Sequence, residues 1–262
     1  FMGTVPPYAG YIFDLDGTVY LGKQLIPGAD TTIATLRGRG ARVMFVSNKP
    51  IDTRANYAAK LSGLGIPTGV DDVLTSPLAL ADYIREHHDA PACIVVGEEP
   101  VLEELRNAGC RIVTTAAEAD IAVVSWDRQT TYDKLEEVFQ AIRAGAKFYV
   151  TNPDVTCPVE NGELSDAGAV MAYMEAASRR KPDHIAGKPY PALAQAAMAR
   201  MDTQPSETIL IGDRLQTDLQ CGKRAGCATA TVLTGVSSRE DVLALAEADR
   251  PDYILGSVAE LV

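Results

Sequence analysis

The sequence predicts an α/β protein: a mostly parallel sheet with helices on both faces, interrupted by a second α/β unit. Three observations lead there. Short β-branched runs alternate with helix-length amphipathic stretches along all 262 residues, the pattern of strands joined by helical crossovers. Glycine or a polar pair follows most of those runs, as turn chemistry requires. Two proline-bearing joints, Asp89-Ala90-Pro91 and Arg180-Lys181-Pro182, divide the series into three. Residues 1–84 and 184–262 read as one unit, and residues 85–183 as an insertion into it.

The first strand is Tyr11-Ile12-Phe13, running into Asp14-Leu15-Asp16-Gly17-Thr18. It is short, aromatic and β-branched, with a turn signal directly behind it. Gly22 to Gly28 reads as a polar turn, and Asp30 to Arg39 as a helix with Asp30 at its N-cap and Gly40 as its stop. A strand over Arg42 to Val46 ends at Ser47-Asn48, a helix follows from about Asp52 to Leu64, and Val73 to Thr75 is a short strand. Ser76-Pro77 opens a helix to about His88. In the insertion, strands are expected at Cys93 to Val96, Arg111 to Val113, Ile121 to Ser125 and Lys147 to Thr151, with helices at Pro100 to Ala108, Thr131 to Ala144 and Ala167 to Arg179. Asn152 to Asp166 reads as a long polar loop, and loops of that length in a compact protein usually carry function. After Gly187-Lys188-Pro189 come a helix to Met201, a strand over Thr208 to Ile211 ending in Gly212-Asp213, a helix from Thr217 to Ala225 and a strand over Thr229 to Leu233. Ser237 and Glu240 form a capping box for the next helix, and Tyr253 to Leu255 with a terminal helix closes the chain.

Composition narrows the classes of function. The 47% hydrophobic and 23% charged residues are those of a globular protein with a sizeable core. A net charge of −11, with no basic patch, argues against a nucleic-acid polymer as partner and requires a local cationic device for any anionic substrate. Five scattered cysteines without a Cys-x-x-Cys motif fit buried thiols in a reducing compartment. There is neither a run of membrane-spanning length nor a charged-then-apolar leader, so no membrane partner and a cytoplasmic location are expected.

Asp14 and Asp16 stand two apart at a strand end and so start on one side of it, and Gly17 frees the backbone just beyond. Two carboxylates ~4 Å apart repel by ~4 kcal/mol at an effective dielectric of ~20, against ~1 kcal/mol in bulk water. Burying such a pair requires a proton or a cation between them. In isolation the stretch also fits a strand and an acidic turn, and the remainder of the chain decides between the two. In an open α/β sheet, ligands bind at the carboxyl ends of strands, and Ser47-Asn48 and Asp213 are polar strand endings too. Lys188 supplies a cation just before a helix, and Thr217-Asp218 comes closely after Asp213. Together they cover the roles that phosphoryl transfer requires.

Asp14-x-Asp16-x-Thr18, Ser47, Lys188 and Gly212-Asp213-x4-Asp218 resemble, in order, the four motifs of the haloacid dehalogenase-like phosphatases. The resemblance is closer to the subfamily of the NagD and p-nitrophenyl phosphatase type, which carries a large α/β cap between the second and third motifs. Asp127 to Lys134, Thr151 to Asp154 and Leu233 to Val236 continue it, so that it covers nearly the whole chain. The resemblance implies a Rossmann-like catalytic core with an inserted cap that sets specificity. It implies hydrolysis of a small phosphate monoester (a nucleotide monophosphate, sugar phosphate, phosphoglycolate, pyridoxal phosphate or p-nitrophenyl phosphate) through an aspartyl-phosphate. Asp14 would be the nucleophile and Asp16 the general acid and base. Ser47, Asn48 and Lys188 would hold the phosphoryl oxygens. An Asp14 oxygen, the Asp16 carbonyl and Asp213 would bind the metal, with Thr18 and Asp218 behind them. Mg²⁺ suits these hard oxygens, since no His or Cys is grouped with them. Trp126, Asp127, Asn152 and Asp154 are the candidates for substrate choice, and relatives often pair through the cap as homodimers. Phosphotransfer to an acceptor other than water, and a phospho-acceptor switch built on Asp14, are the alternatives on the same core.

Gly97-Glu98-Glu99 lacks the glycines of a dinucleotide fingerprint, and no phosphate-cradling Gly-x4-Gly-Lys loop occurs. His87-His88 reads as a helix end, and His184 stands at the second joint, from which it could approach the site.

Overall fold

The computed structural model describes residues 5–159 and 162–262. Its packing divides the chain into two units, the first comprising residues up to Ser47, Arg54–Leu74 and Lys188–Val262, the second Asn48–Thr53 and Thr75–Gly187.

The first unit opens with β1 (Gly10–Asp14), a small antiparallel pair β2 (Tyr20–Leu21) and β3 (Gln24–Leu25), α1 (Ala29–Gly38), β4 (Arg42–Ser47), α2 (Arg54–Gly63) and β5 (Val73–Thr75). The second unit continues with α3 (Ser76–His87), β6 (Ala92–Val96), α4 (Glu99–Asn107), β7 (Arg111–Val113), β8 (Ile121–Val124), α5 (Tyr132–Ala144), β9 (Lys147–Val150), β10 (Thr156–Val159), β11 (Gly162–Ser165), α6 (Ala167–Ser178) and β12 (His184–Ile185). The chain returns to the first unit in α7 (Ala192–Met201), β13 (Thr208–Gly212), α8 (Gln220–Ala225), β14 (Ala228–Val232), α9 (Arg239–Ala244) and β15 (Tyr253–Leu255).

The first sheet runs β15-β14-β13-β1-β4-β5, and β1, β4, β13, β14 and β15 pair in parallel. Tyr11, Phe13, Phe45, Ile209 and Ile211 pack on one face with Ile33, Leu36 and Leu61 of the helices. α1 buries Ala29, Thr32, Ile33 and Leu36, the 3-and-4 spacing of an amphipathic helix. The second sheet, β12-β9-β8-β6-β7, is parallel throughout. Val96, Val124, Phe148 and Val150 meet Val138, Ile142 and Met174 of α5 and α6 in its core. Both sheets are α/β and mostly parallel, as the alternation of runs predicts. Among the described residues no helix is long and apolar enough to cross a membrane.

Several local expectations need correction. The units separate at residues 74/75 and 187/188 instead of at 84/85 and 183/184, because α3 packs on α4 and β12 pairs with β9. The polar stretch Asn152 to Asp166 is not one loop: β10 and β11 form an antiparallel hairpin in it, with residues 160–161 outside the described set. Asp30 lies inside the first turn of α1, and Gly28, at φ 83°, is the N-cap. The capping box of α9 is Ser238 with Asp241, one residue beyond the expected Ser237 and Glu240. A π-helical turn, Leu215–Leu219, precedes α8 in place of the single continuous helix that the sequence predicts.

Phe148 is fully buried at the centre of the second core. Phe148→Ala is expected to cost about 3–5 kcal/mol, read as a lower urea midpoint for the unfolding of that unit.

Candidate active site

β4, β1 and β13 are neighbours, and all three end at the same edge of the first sheet. Register places Asp14 opposite Val46, one residue before Ser47, while Phe13 is opposite Ile211, two before Asp213. Three strands distant in sequence therefore deliver their polar endings together. Ser47 is buried, and its hydroxyl reaches the Tyr57 hydroxyl at 3.4 Å.

The Lys188 ammonium is the centre of the cluster. It is 3% exposed and donates to Asp14 Oδ1 at 2.5 Å and to Asp218 Oδ1 at 2.6 Å. Burial works to lower the lysine's pKa, but Asp14 and Asp218 outweigh it and hold the group protonated above its ordinary range. Asp218 lies in the π-helical turn, where its Oδ2 also accepts from the Arg214 amide at 3.1 Å. Carboxylate oxygens of Asp14, Asp213 and Asp218 all lie within 4.8 Å of one another.

Asp213 is anchored by backbone. The Val236 amide donates to its Oδ2 at 2.7 Å, and the Ser237 amide donates to its carbonyl at 3.1 Å. Gly17 and Gly235 make room for that carboxylate, since a Cβ at either would run into it. Gly17 also sits at φ 88°, a conformation that side-chain-bearing residues rarely adopt. Its carbonyl accepts from the Thr234 hydroxyl at 2.6 Å, fastening the turn after β1 to the loop after β14. Thr234 and Gly235 are parts that the sequence alone does not assign, although a glycine turn directly after a strand is visible there.

Asp16 is exposed, and its Oδ1 accepts from the Gly22 amide at 3.3 Å; the cluster contains its neighbours' carboxylates and not its own. The Thr18 hydroxyl is fully buried and finds no hydrogen-bond partner among the described residues. In the second unit, Asn48 donates to Asp154 at 2.8 Å, and Asn152 donates to Asp154 at 3.0 Å. Trp126 is buried beneath the Lys49 ammonium, 5.8 Å from the ring centre. Asp127 is also buried and pairs with Lys134 at 2.5 Å. His184 stacks on Tyr83, which also stacks on His87 and meets Tyr149 edge-on, so it belongs to an aromatic group of the second unit.

The residues fit a divalent cation. Asp213 Oδ1 is buried without a hydrogen-bond partner among the described residues, an acceptor with nothing to accept. Three carboxylates face one ammonium, an excess of two negative charges if all are ionised. Burial pushes Asp14 up to about 8, with Lys188 pulling against it and Asp218 and Asp213 adding to it. Burial likewise pushes Asp213 up to about 6, helped by Asp218.

A family model described as haloacid dehalogenase-like hydrolase matches residues 11–111, and a second, of HAD-hydrolase-like proteins, matches residues 185–261. The sugar-phosphatase AraL of Bacillus subtilis is 36% identical over 97% of this chain and 92% of its own length. The 5'-nucleotidase YutF of the same organism is 34% identical over 97% and 98%. Among solved structures, p-nitrophenyl phosphatase from Archaeoglobus fulgidus superposes with a TM-score of 0.92 at 29% identity, covering 98% of both chains. NagD from Escherichia coli K-12 gives 0.90 at 32% identity, covering 98% of this chain and 99% of its own. A glycerol phosphate phosphatase from Mycobacterium tuberculosis in complex with magnesium gives 0.89 at 33%, covering 97% and 76%. The chain belongs to the haloacid dehalogenase-like hydrolases, among their NagD-like phosphatases.

Two outcomes are expected of this geometry. Asp14 and Asp213 bind protons more tightly folded than unfolded, so the metal-free protein loses stability as pH rises from about 4 through about 8. Melting temperatures in EDTA should therefore fall across that window, and magnesium should raise them more at pH 8 than at pH 5. Asp213→Asn should flatten the slope between about pH 4 and about pH 6. Gly235→Ala forces the Asp213 carboxylate or its loop aside, and should lower stability by about 1–3 kcal/mol and weaken magnesium stabilisation.

Proposed function

We propose that this protein is a Mg²⁺-dependent phosphatase that hydrolyses small phosphate monoesters through an aspartyl-phosphate on Asp14. The observation that carries the reading is the Lys188 ammonium shared between Asp14 and Asp218, beside an Asp213 oxygen that has no donor among the described residues. That set is suited to a dianion arriving among carboxylates, and relatives named sugar phosphatase, 5'-nucleotidase and p-nitrophenyl phosphatase support the substrate class.

In the first step an Asp14 carboxylate oxygen bonds to phosphorus as the bond to the leaving oxygen breaks, and Asp16 gives that oxygen its proton. In the second step Asp16 takes a proton from water, the hydroxyl oxygen bonds to phosphorus, and Asp14 leaves as a carboxylate with inorganic phosphate. Exposure of Asp16 suits a group that must meet both a departing alcohol and an entering water. Lys188 supplies fixed positive charge toward the phosphoryl oxygens, while Ser47 and the amides of Asp16 and Asn48 donate to them. Asp14, Asp213 and the Asp16 carbonyl would hold Mg²⁺, which when bound offsets the charge that phosphate brings to the acidic cluster. The complexes of the mycobacterial relative with magnesium and with calcium support a divalent ion here, and the hard oxygen ligands suit magnesium.

The second unit would act as a cap that sets specificity, and pairing of two chains through it belongs to the same reading. A reducing, cytoplasmic setting belongs to the same reading, the five cysteines being scattered without a Cys-x-x-Cys motif.

With p-nitrophenyl phosphate and a panel of sugar and nucleoside monophosphates, EDTA should abolish phosphate release and magnesium should restore it. Asp14→Asn should lower turnover more than ~10,000-fold. Asp16→Asn should lower it by roughly 100- to 10,000-fold with an unchanged melting temperature. An Asp16→Asn enzyme at the wild-type rate would remove the acid–base assignment.

A further inference from the structure

Resting on the phosphatase reading above, we propose that Asp154 is a positioning residue. With Asn152 it fastens Asn48 and Gly187, the residues next to Ser47 and Lys188, and it leaves the leaving group of the substrate to other side chains.

The hydrogen bonds of the second unit carry this. Asp154 Oδ2 accepts from two amides at once, Asn48 Nδ2 at 2.8 Å and Asn152 Nδ2 at 3.0 Å. Asn152 is fully buried, and its other N–H goes to Asp166 Oδ1 at 3.1 Å. Its Oδ1 accepts from the Thr151 hydroxyl at 2.9 Å, which in turn lies 2.8 Å from the buried Ser125 hydroxyl. Both amide hydrogens and the carbonyl oxygen of Asn152 are thus engaged within the protein, as a structural tie requires. Asp166 is fixed as well, being the N-cap of α6 and accepting from the Ala167 amide.

Gly187 belongs to the same knot. Its amide donates to the Thr151 carbonyl at 2.7 Å, and a Cβ on it would fall 2.8 Å from both Asn152 Cβ and Asn48 Oδ1. Gly187 is therefore packed against the side chains of both Asn48 and Asn152, the two amides that share the Asp154 oxygen. One peptide link separates Asn48 from Ser47 and Gly187 from Lys188. A planar trans link holds successive Cα atoms about 3.8 Å apart, so a shift of either tethered residue passes to its neighbour with little slack. Phosphoryl transfer depends on positioning, and sub-ångström displacement of a phosphate-holding group is costly to rate.

A positioning role and a substrate contact differ in what they do to different substrates. Asp154→Ala is assayed with two esters of unrelated leaving group, p-nitrophenyl phosphate and ribose 5-phosphate, and with inorganic phosphate as inhibitor. The expected result is a loss in kcat/KM of roughly 10- to 100-fold, by the same factor for both esters, with phosphate inhibition weakened in parallel. Asp154→Asn, which keeps an acceptor oxygen in place, should recover most of the loss. The double variant of Asn48→Ala and Asp154→Ala should be no worse than the poorer single one. A loss confined to one ester with phosphate inhibition intact, or strictly multiplicative losses in the double variant, overturns the proposal. If Asp154→Ala does not fold, Asn48→Asp, which sets a like charge against Asp154, takes its place under the same criteria. Wild-type protein that hydrolyses neither ester, and whose melting temperature phosphate does not raise, overturns the phosphatase reading and this inference with it.

Discussion

The acidic cluster of the first unit depends on one buried ammonium held between two carboxylates. Without Asp14 and Asp218, Lys188 would lose its proton to burial; without Lys188, the carboxylates would face one another in a medium that screens them poorly. The balance is incomplete, because Asp213 brings a third carboxylate whose buried Oδ1 has no hydrogen-bond partner among the described residues. With all three carboxylates ionised the cluster lacks two positive charges, and a divalent ion has that deficit as its own charge.

The fold supplies this arrangement with few dedicated parts. Parallel pairing of β4, β1 and β13 brings three strand endings to one edge, and the unusual turn at Leu215–Leu219 aims Asp218 back at Lys188. π-Helical turns of this kind recur at functional sites because they redirect one side chain without ending the helix. Glycines at 17 and 235 leave the space that the Asp213 carboxylate fills. Each feature is local and small, and the site arises from their convergence.

Much of this is legible in the sequence because strand endings are short and chemically marked. Asp14, Ser47 and Asp213 each stand at the end of an apolar run, and alternation with helices places such ends on one edge. What sequence does not supply is the competition between near-equivalent partners. Ser237 and Ser238 both precede an acidic residue at the capping distance, and only packing selects Ser238 with Asp241. Asp30 has the chemistry of a cap, but the αL turn at Gly28 starts the helix two residues earlier. The stretch after Asn152 is polar enough to read as loop, and its hairpin is held by backbone pairing that composition does not reveal. The hydrogen bonds that tie Asn152 and Asp154 to Asp166 and Asn48 are equally hidden, because those partners lie elsewhere in the chain.

The attachment of Asp213 to the amide of Val236 has a consequence for how this site can vary. The contact is made by main chain, while the Val236 side chain is 64% exposed. Position 236 can therefore change its chemistry, to polar, charged or bulky, while the grip on the carboxylate stays the same. Proline alone among the natural residues is barred, since it has no N–H to give. An exposed residue free to drift beside an anchor that cannot is a place where the surface can vary without loosening the carboxylate.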